Sequence, residues 1–128
     1  MEEKKYIELK DIEVYKISRE LSKLGWEVYR DLSIEHKKTM GDQFIRSIDS
    51  VGANIAEGYS RFHYLDKNRF YYNSRASLSE AIEHWSELLL ERGIIEKKIF
   101  EELKLKGKVL QVKLNNFITM TYKQKTAK

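Results

Sequence analysis

No proline interrupts the 128 residues, and only six glycines punctuate them. Without the residue that breaks helix interiors, long uninterrupted helices are permitted. The apolar residues recur at the helical step throughout. Val14, Ile17, Leu21, Leu24 and Val28 form a first seam, widened by Tyr15, Trp26 and Tyr29. The spacing predicts a helix over roughly 11–32, then a polar loop over 33–40. Gly41-Asp42 opens a second helix with Asp42 as N-cap, carrying Phe44, Ile48, Val51 and Ile55 and stopping at Gly58.

A third helix is expected over about 67–92, capped by Asp66. Its large stripe is Tyr71, Leu78, Ile82, Trp85 and Leu89, beside a small stripe of Ser74, Ser77 and Ala81. Two usable faces imply contacts on two sides. Arg92-Gly93 is a stop signal. In the fourth helix Leu103, Gly107, Leu110, Leu114, Phe117 and Thr121 continue the period, with its lysines mainly off that seam. Four amphipathic helices, short connections and no alternating stretch give an all-α, antiparallel up-down-up-down four-helix bundle. The expected organisation is one domain over 1–128, with frayed ends at about 1–8 and 123–128.

Composition narrows function. The chain has no cysteine, which excludes disulfide frameworks, thiolate metal sites and cysteine nucleophiles. No apolar run approaches a membrane span, and the charged N-terminus has no apolar run behind it, so a cytoplasmic protein without a membrane partner is expected. The net charge is +4. Residues 97–128 hold nine lysines and two glutamates, a net +7, which leaves −3 on residues 1–96. Such asymmetry points to a polyanion or acidic partner, or to a solvated helix face with a lysine-rich tail.

Catalytic chemistry finds little support. A di-iron bundle needs Glu three residues before His, twice. Ser33, Ser60 and Ala81 precede the three histidines instead. Glu80, His84 and Glu87 share a helix face, which makes a lone surface charge cluster or a weak metal site. No phosphate loop, dinucleotide fingerprint or hydrolytic triad occurs. No enzyme activity, metal or cofactor is expected. The unusual polar residues are Gln43, Arg46, Ser47, Ser50, Asn54, Glu57 and Arg61 on the second helix, with Asn73, Arg75, Ser77 and Glu80 on the third. Interleaved with Ser, Gly and Ala, they read as a hydrogen-bonded network between those helices or between subunits, comprising Gln43, Arg46, Ser50, Asn54, Glu57, Arg75, Ser77 and Glu80. An anion contact through Arg46, Arg61 and Arg75 is the alternative.

The run Gln43-x-x-Arg46-Ser47-x-x-Ser50-x-x-x-Asn54-Ile55-Ala56-Glu57-Gly58, followed by Arg61, closely resembles the signature of the bacterial four helix bundle protein family. Its members are also called intervening-sequence proteins, because some are encoded inside insertions in large-subunit ribosomal RNA genes. Three stretches fit in order: 11–16, the Arg75-Ala76-Ser77-Leu78-Ser79-Glu80 element, and Glu91-Arg92-Gly93-Ile94-Ile95. The resemblance spans roughly Leu9 to Leu114, although the family's usual proline in the first loop is absent. It implies a bundle that assembles into a ring-like homopentamer with no assigned enzyme activity. Related pentamers serve as accessory proteins to the reverse transcriptases of diversity-generating retroelements and are thought to bind nucleic acid. Combined with the basic C-terminal quarter, this makes Lys104, Lys108, Lys113, Lys123 and Lys125 the expected nucleic-acid contacts, with Arg46 and Arg61 as lesser ones. The alternative is an assembly or protein-partner module without nucleic-acid contact.

Overall fold

The computed structural model describes residues 6–124. A 3-10 turn (Leu9–Asp11) leads into α1 (Glu13–Arg30). Helix α2 spans residues 34–59, as a short α-helical turn (Ile34–His36), a wide π-helical segment (Lys37–Gly41) and an α-helix (Asp42–Tyr59). Helix α3 spans residues 64–91, with a second π-helical segment (Glu80–Ser86) between Tyr64–Ser79 and Glu87–Glu91. Helix α4 is Lys97–Lys123. The described residues contain no strand. The fold is an all-α four-helix bundle.

The predicted seams form the core. Phe44, Ile48, Val51 and Ile55 of α2 are fully buried, as are Leu21 of α1, Leu89 of α3 and Leu103, Leu110 and Leu114 of α4. Each such side chain contributes about 1.5–3 kcal/mol by leaving water. Close approach depends on small residues. A Cβ on Gly52 would stand 2.8 Å from Ser18 Oγ, and one on Gly25 2.8 Å from Ile48 Cγ2. Ser18 and Gly25 are themselves buried, so the face of α1 turned to α2 is smaller than the Ile17–Leu24 seam implied. Ile17 and Leu24 are only half-buried, and Trp26 is exposed.

Several expected boundaries are corrected. Residues 33–40 are not a loop: Ser33 caps the turn by accepting from the His36 amide at 3.1 Å, and helix continues from there. The wide π turn takes up an extra residue and carries Met40 and Gly41 into the interior. Asp42 is therefore inside the helix, and instead of capping it accepts a hydrogen bond from Tyr29 Oη at 2.6 Å. His63, not Asp66, caps α3: its Nδ1 accepts from the Leu65 amide. Asp66 pairs with Arg69 in the first turn.

The second π segment moves the interior position from Trp85 to Ser86, which is fully buried and donates to the Ala81 carbonyl five residues back at 2.7 Å. On α4, Ile118 takes the core position expected of Phe117. Phe117 lies half-buried against Tyr71, with ring centroids 4.9 Å apart. The predicted stop at Gly93 holds. It has φ +68°, and the Gly93 and Ile94 amides donate to the Leu90 and Leu89 carbonyls, which is a Schellman closure.

Ion pairs tie α4 to its neighbours: Lys106 to Glu20 and Lys113 to Glu13 on α1, Lys104 to Glu87 on α3. They are partly exposed, and such pairs are worth about 0–1 kcal/mol, so burial outweighs them. Leu110→Ala is expected to lower stability by about 2–5 kcal/mol, against less than about 1 kcal/mol for Lys106→Gln. Urea unfolding of both variants checks this, and equal losses would contradict it.

Candidate nucleic-acid interface

The expected nucleic-acid residues do not form one patch. Lys104 donates to Glu87 Oε1 at 2.9 Å, and that hydrogen bond holds its ammonium above the usual lysine range. Lys113 lies on the α1 side of α4, 3.1 Å from Glu13 Oε1. Lys108 is exposed on the α3 side, Lys123 ends α4, and Lys125 lies outside the described residues. Arg46 is exposed on α2. Arg61, after α2, pairs with Glu57 at 3.1 Å and lies over the Phe70 ring.

The polar set on α2 and α3 is also arranged differently from a network joining those two helices. Ser50 Oγ donates to the Arg46 carbonyl, and Asn54 Nδ2 donates to the Ser50 carbonyl, both within α2. Glu57 turns to Arg61. On α3, Glu80 accepts from Trp85 Nε1 at 2.8 Å, and Arg75 reaches α4. Among the described residues no hydrogen bond joins the α2 members to the α3 members. Gln43, Arg46 and Glu57 are exposed, and Ser50, Asn54 and Ser77 half-buried. The row faces outward because α2 spends its other face on the core. The Glu80–His84–Glu87 cluster separates too: Trp85 takes Glu80, Lys104 takes Glu87, and His84 stands edge-on to Trp85.

What the structure does bring together is the seam between α3 and α4. A cleft of about 120 Å³ is lined there by Arg75, Ser79, Glu83, Lys104, Lys108 and Gln111. Its floor is Leu78, Ile82 and Gly107. A Cβ on Gly107 would lie 2.8 Å from Ile82 Cγ1, so glycine sets how closely the two helices meet. Arg75 links the cleft to an aromatic cluster. Its Nη1 donates to Asn115 Oδ1 at 3.0 Å, and its guanidinium sits 4.8 Å from the Tyr72 ring centroid. Tyr72 and Tyr122 hydroxyls are hydrogen-bonded at 3.0 Å, and Tyr64 meets Tyr122 edge-on. Asn68, one turn from Tyr64 and from Tyr72, donates to the Ile118 carbonyl and leaves its buried Oδ1 unpaired. Sequence reasoning had Lys104 and Lys108 as nucleic-acid contacts and Arg75 in the polar network, with an anion contact as its alternative, and missed Tyr64, Tyr72 and Tyr122. The pairing of early α3 with late α4 is a tertiary fact.

A second surface was also missed. Leu105, Val109, Val112 and Met120 are 70%, 42%, 56% and 65% exposed. They recur at helical spacing on the side of α4 opposite Leu103, Gly107, Leu110 and Leu114. Beside them runs a groove against α1 lined by Ile17, Leu24, Leu105 and Val109, with charges of both signs at its rim: Glu20, Glu27, Glu102, Lys23 and Lys106. The signal was a second apolar series half a turn from the first. Among the described residues no group of three or more His, Asp and Glu could hold a metal ion, and no helix is long and apolar enough to cross a membrane.

Comparison with known proteins identifies the lineage. Residues 10–116 match the family described as 23S rRNA-intervening sequence protein, and the chain belongs to that family. A crystal structure of a protein with unknown function from the S23 ribosomal protein family of Bacteroides thetaiotaomicron is similar, with a TM-score of 0.75. It is 24% identical, and the match covers 82% of this chain and 97% of that one. At that identity the likeness shows the fold. No curated protein matches.

The tyrosines make the fold sensitive to alkali. A hydrogen bond to Asp42 raises the Tyr29 phenol, burial raises Tyr59 and Tyr71, and the bond to Tyr72 raises Tyr122, all above the ordinary 10.0. The unfolded chain therefore loses these protons first as pH rises. Their stabilisation is complete below about pH 10 and declines above it, as the unfolded chain's phenols ionise while the folded ones keep their protons, and is lost once pH has passed the raised folded values. Thermal midpoints should hold steady from neutral to mildly alkaline pH and fall beyond pH 10. A midpoint rising through that range would contradict the assignment.

Proposed function

We propose that this chain is a non-catalytic, cytoplasmic helical bundle that assembles with copies of itself and binds nucleic acid in the assembled form. The observation that carries the assembly is the outward apolar row of α4. An exposed apolar row on a small bundle suits a protein contact, and burying the remaining exposed part of each side chain is worth up to about 1.5–3 kcal/mol. A second copy suits it because the adjoining groove carries both signs of charge at its rim. A ring with cyclic symmetry joins two different patches of neighbouring subunits. The resemblance to pentameric members sets the expected number of copies at five.

The outward polar row of α2, Gln43, Arg46, Ser50, Asn54 and Glu57, with Ser77 and Glu80 of α3, is assigned to the same assembly, whereas Arg75 turns to α4. The Ser50 hydroxyl and Asn54 amide are already bonded to backbone, and the charges of the row can fix the register between subunits.

The nucleic-acid half of the proposal rests on charge. Five copies at +4 each carry +20, concentrated in the C-terminal quarter of every chain. Multivalent cations bind phosphates without reading sequence. Lys108 is the favoured contact, since Lys104 and Lys113 would exchange a carboxylate for a phosphate. A protein partner, a reverse transcriptase first among them, is the alternative occupant of the assembled surface.

Sedimentation at micromolar concentration should give about five times the 15.3-kDa chain mass. The pair Leu105→Glu and Val112→Glu should reduce it to one chain with helicity retained. A monomeric wild type would contradict the assembly. Binding of a labelled RNA should weaken steeply with salt. No binding at low salt would contradict the nucleic-acid half and favour the protein partner.

A further inference from the structure

We infer that the seam between α3 and α4 is a track for single-stranded nucleic acid, with bases stacked on Tyr72 and Tyr122 and backbone phosphates entering the cleft of Arg75, Lys104 and Lys108. The inference rests on the nucleic-acid reading above and gives it a place and a strand form. Two chemistries that single strands require meet here. The first is an exposed π surface. Tyr72 and Tyr122 are 36% and 41% exposed and tied together through their hydroxyls, so the platform is fixed before a base arrives. The second is a positive groove beside it. Arg75 belongs to both, with its guanidinium against the Tyr72 ring and its side chain on the cleft wall. A paired duplex keeps its base faces stacked inside and would leave the tyrosines unused.

The scale fits a short strand. From Tyr122 to Lys108 along α4 is about 21 Å at 1.5 Å per residue, room for a few nucleotides. The cleft, at about 120 Å³, is a pocket for a phosphate group and not a channel for a helix. Its charge balance is narrow. Glu83 stands on the same wall and Glu87 already pairs with Lys104, so three cations face two carboxylates. One copy therefore binds weakly, and several copies in one assembly supply the avidity.

The test is fluorescence anisotropy of the full chain against a labelled oligouridylate of about 15 nucleotides, the matching oligothymidylate, and a duplex of the same length. Both single strands should bind more tightly than the duplex, and the tighter of the two identifies the natural sugar. Replacing Tyr72 and Tyr122 together by Leu should weaken single-strand binding about tenfold, the loss of stacking at one base or more. Replacing both by Phe keeps the rings and loses only the hydroxyl tie, so it should weaken binding less than the Leu pair. Glu83→Gln should tighten binding and steepen its salt dependence. The preference for single strand over duplex and the Glu83→Gln response decide the matter if the Leu pair does not fold by circular dichroism. Equal duplex binding, unmoved by the tyrosine and Glu83 substitutions, would overturn the track and leave nucleic-acid binding standing elsewhere. No binding of any probe at low salt would overturn both.

Discussion

Everything in this bundle rests on the interior face of α2. Phe44, Ile48, Val51 and Ile55 are all fully buried, and the neighbouring helices approach that row through small residues. Gly52 admits Ser18 of α1, Gly25 of α1 admits Ile48, and a Cβ on Gly58 would stand 2.9 Å from the Lys67 carbonyl and 2.7 Å from the Tyr71 ring. Ser74 of α3 adds a buried bond to the Val51 carbonyl at 2.8 Å. Interiors packed this closely leave no slack for an added methylene. Across the bundle from α2, α4 rests on α1 and α3 and is covered on one side only. Its second apolar row is the consequence, and so is the polar row on the open side of α2.

The charges obey the same division. Three α4 lysines are spent on interhelical pairs with Glu13, Glu20 and Glu87, each worth too little to hold the fold but enough to orient the side chains. What remains for a polyanion is therefore less than the +7 of the C-terminal quarter implies. The part that converges does so between α3 and α4, where Arg75 couples a cation cleft to a tyrosine platform. The outward apolar row and the cation cleft lie on different sides of α4, so the proposed assembly would not block the proposed strand track.

Much of the fold was legible in the sequence because a 3–4 apolar step has few alternatives in a proline-free chain. Leu21, Ile48, Leu78, Leu89 and Leu110 all lie where the period placed them. The two π segments were not legible. They depend on which carbonyl an amide chooses, and that choice leaves no mark on composition. The stretch 33–40 accordingly read as loop, and Trp85 read as core in place of Ser86. Ser18 and Gly25 were passed over because a close helix contact needs small residues, which a hydrophobic period does not count. Of the candidate site, the lysines were visible but their carboxylate partners were not. The tyrosines of α3 and α4 are 50 residues apart at Tyr72 and Tyr122, and only folding joins them.

The central claim is that the outward row of α4 is an interior surface of an assembly. The chain has no cysteine, so a single Val112→Cys labelled with an environment-sensitive fluorophore reports on that row alone. At micromolar protein the label should be shielded from iodide quenching and should become accessible on dilution, as copies separate. A label quenched as freely as the unattached dye at every concentration would show that α4 faces water on that side, and would contradict the account.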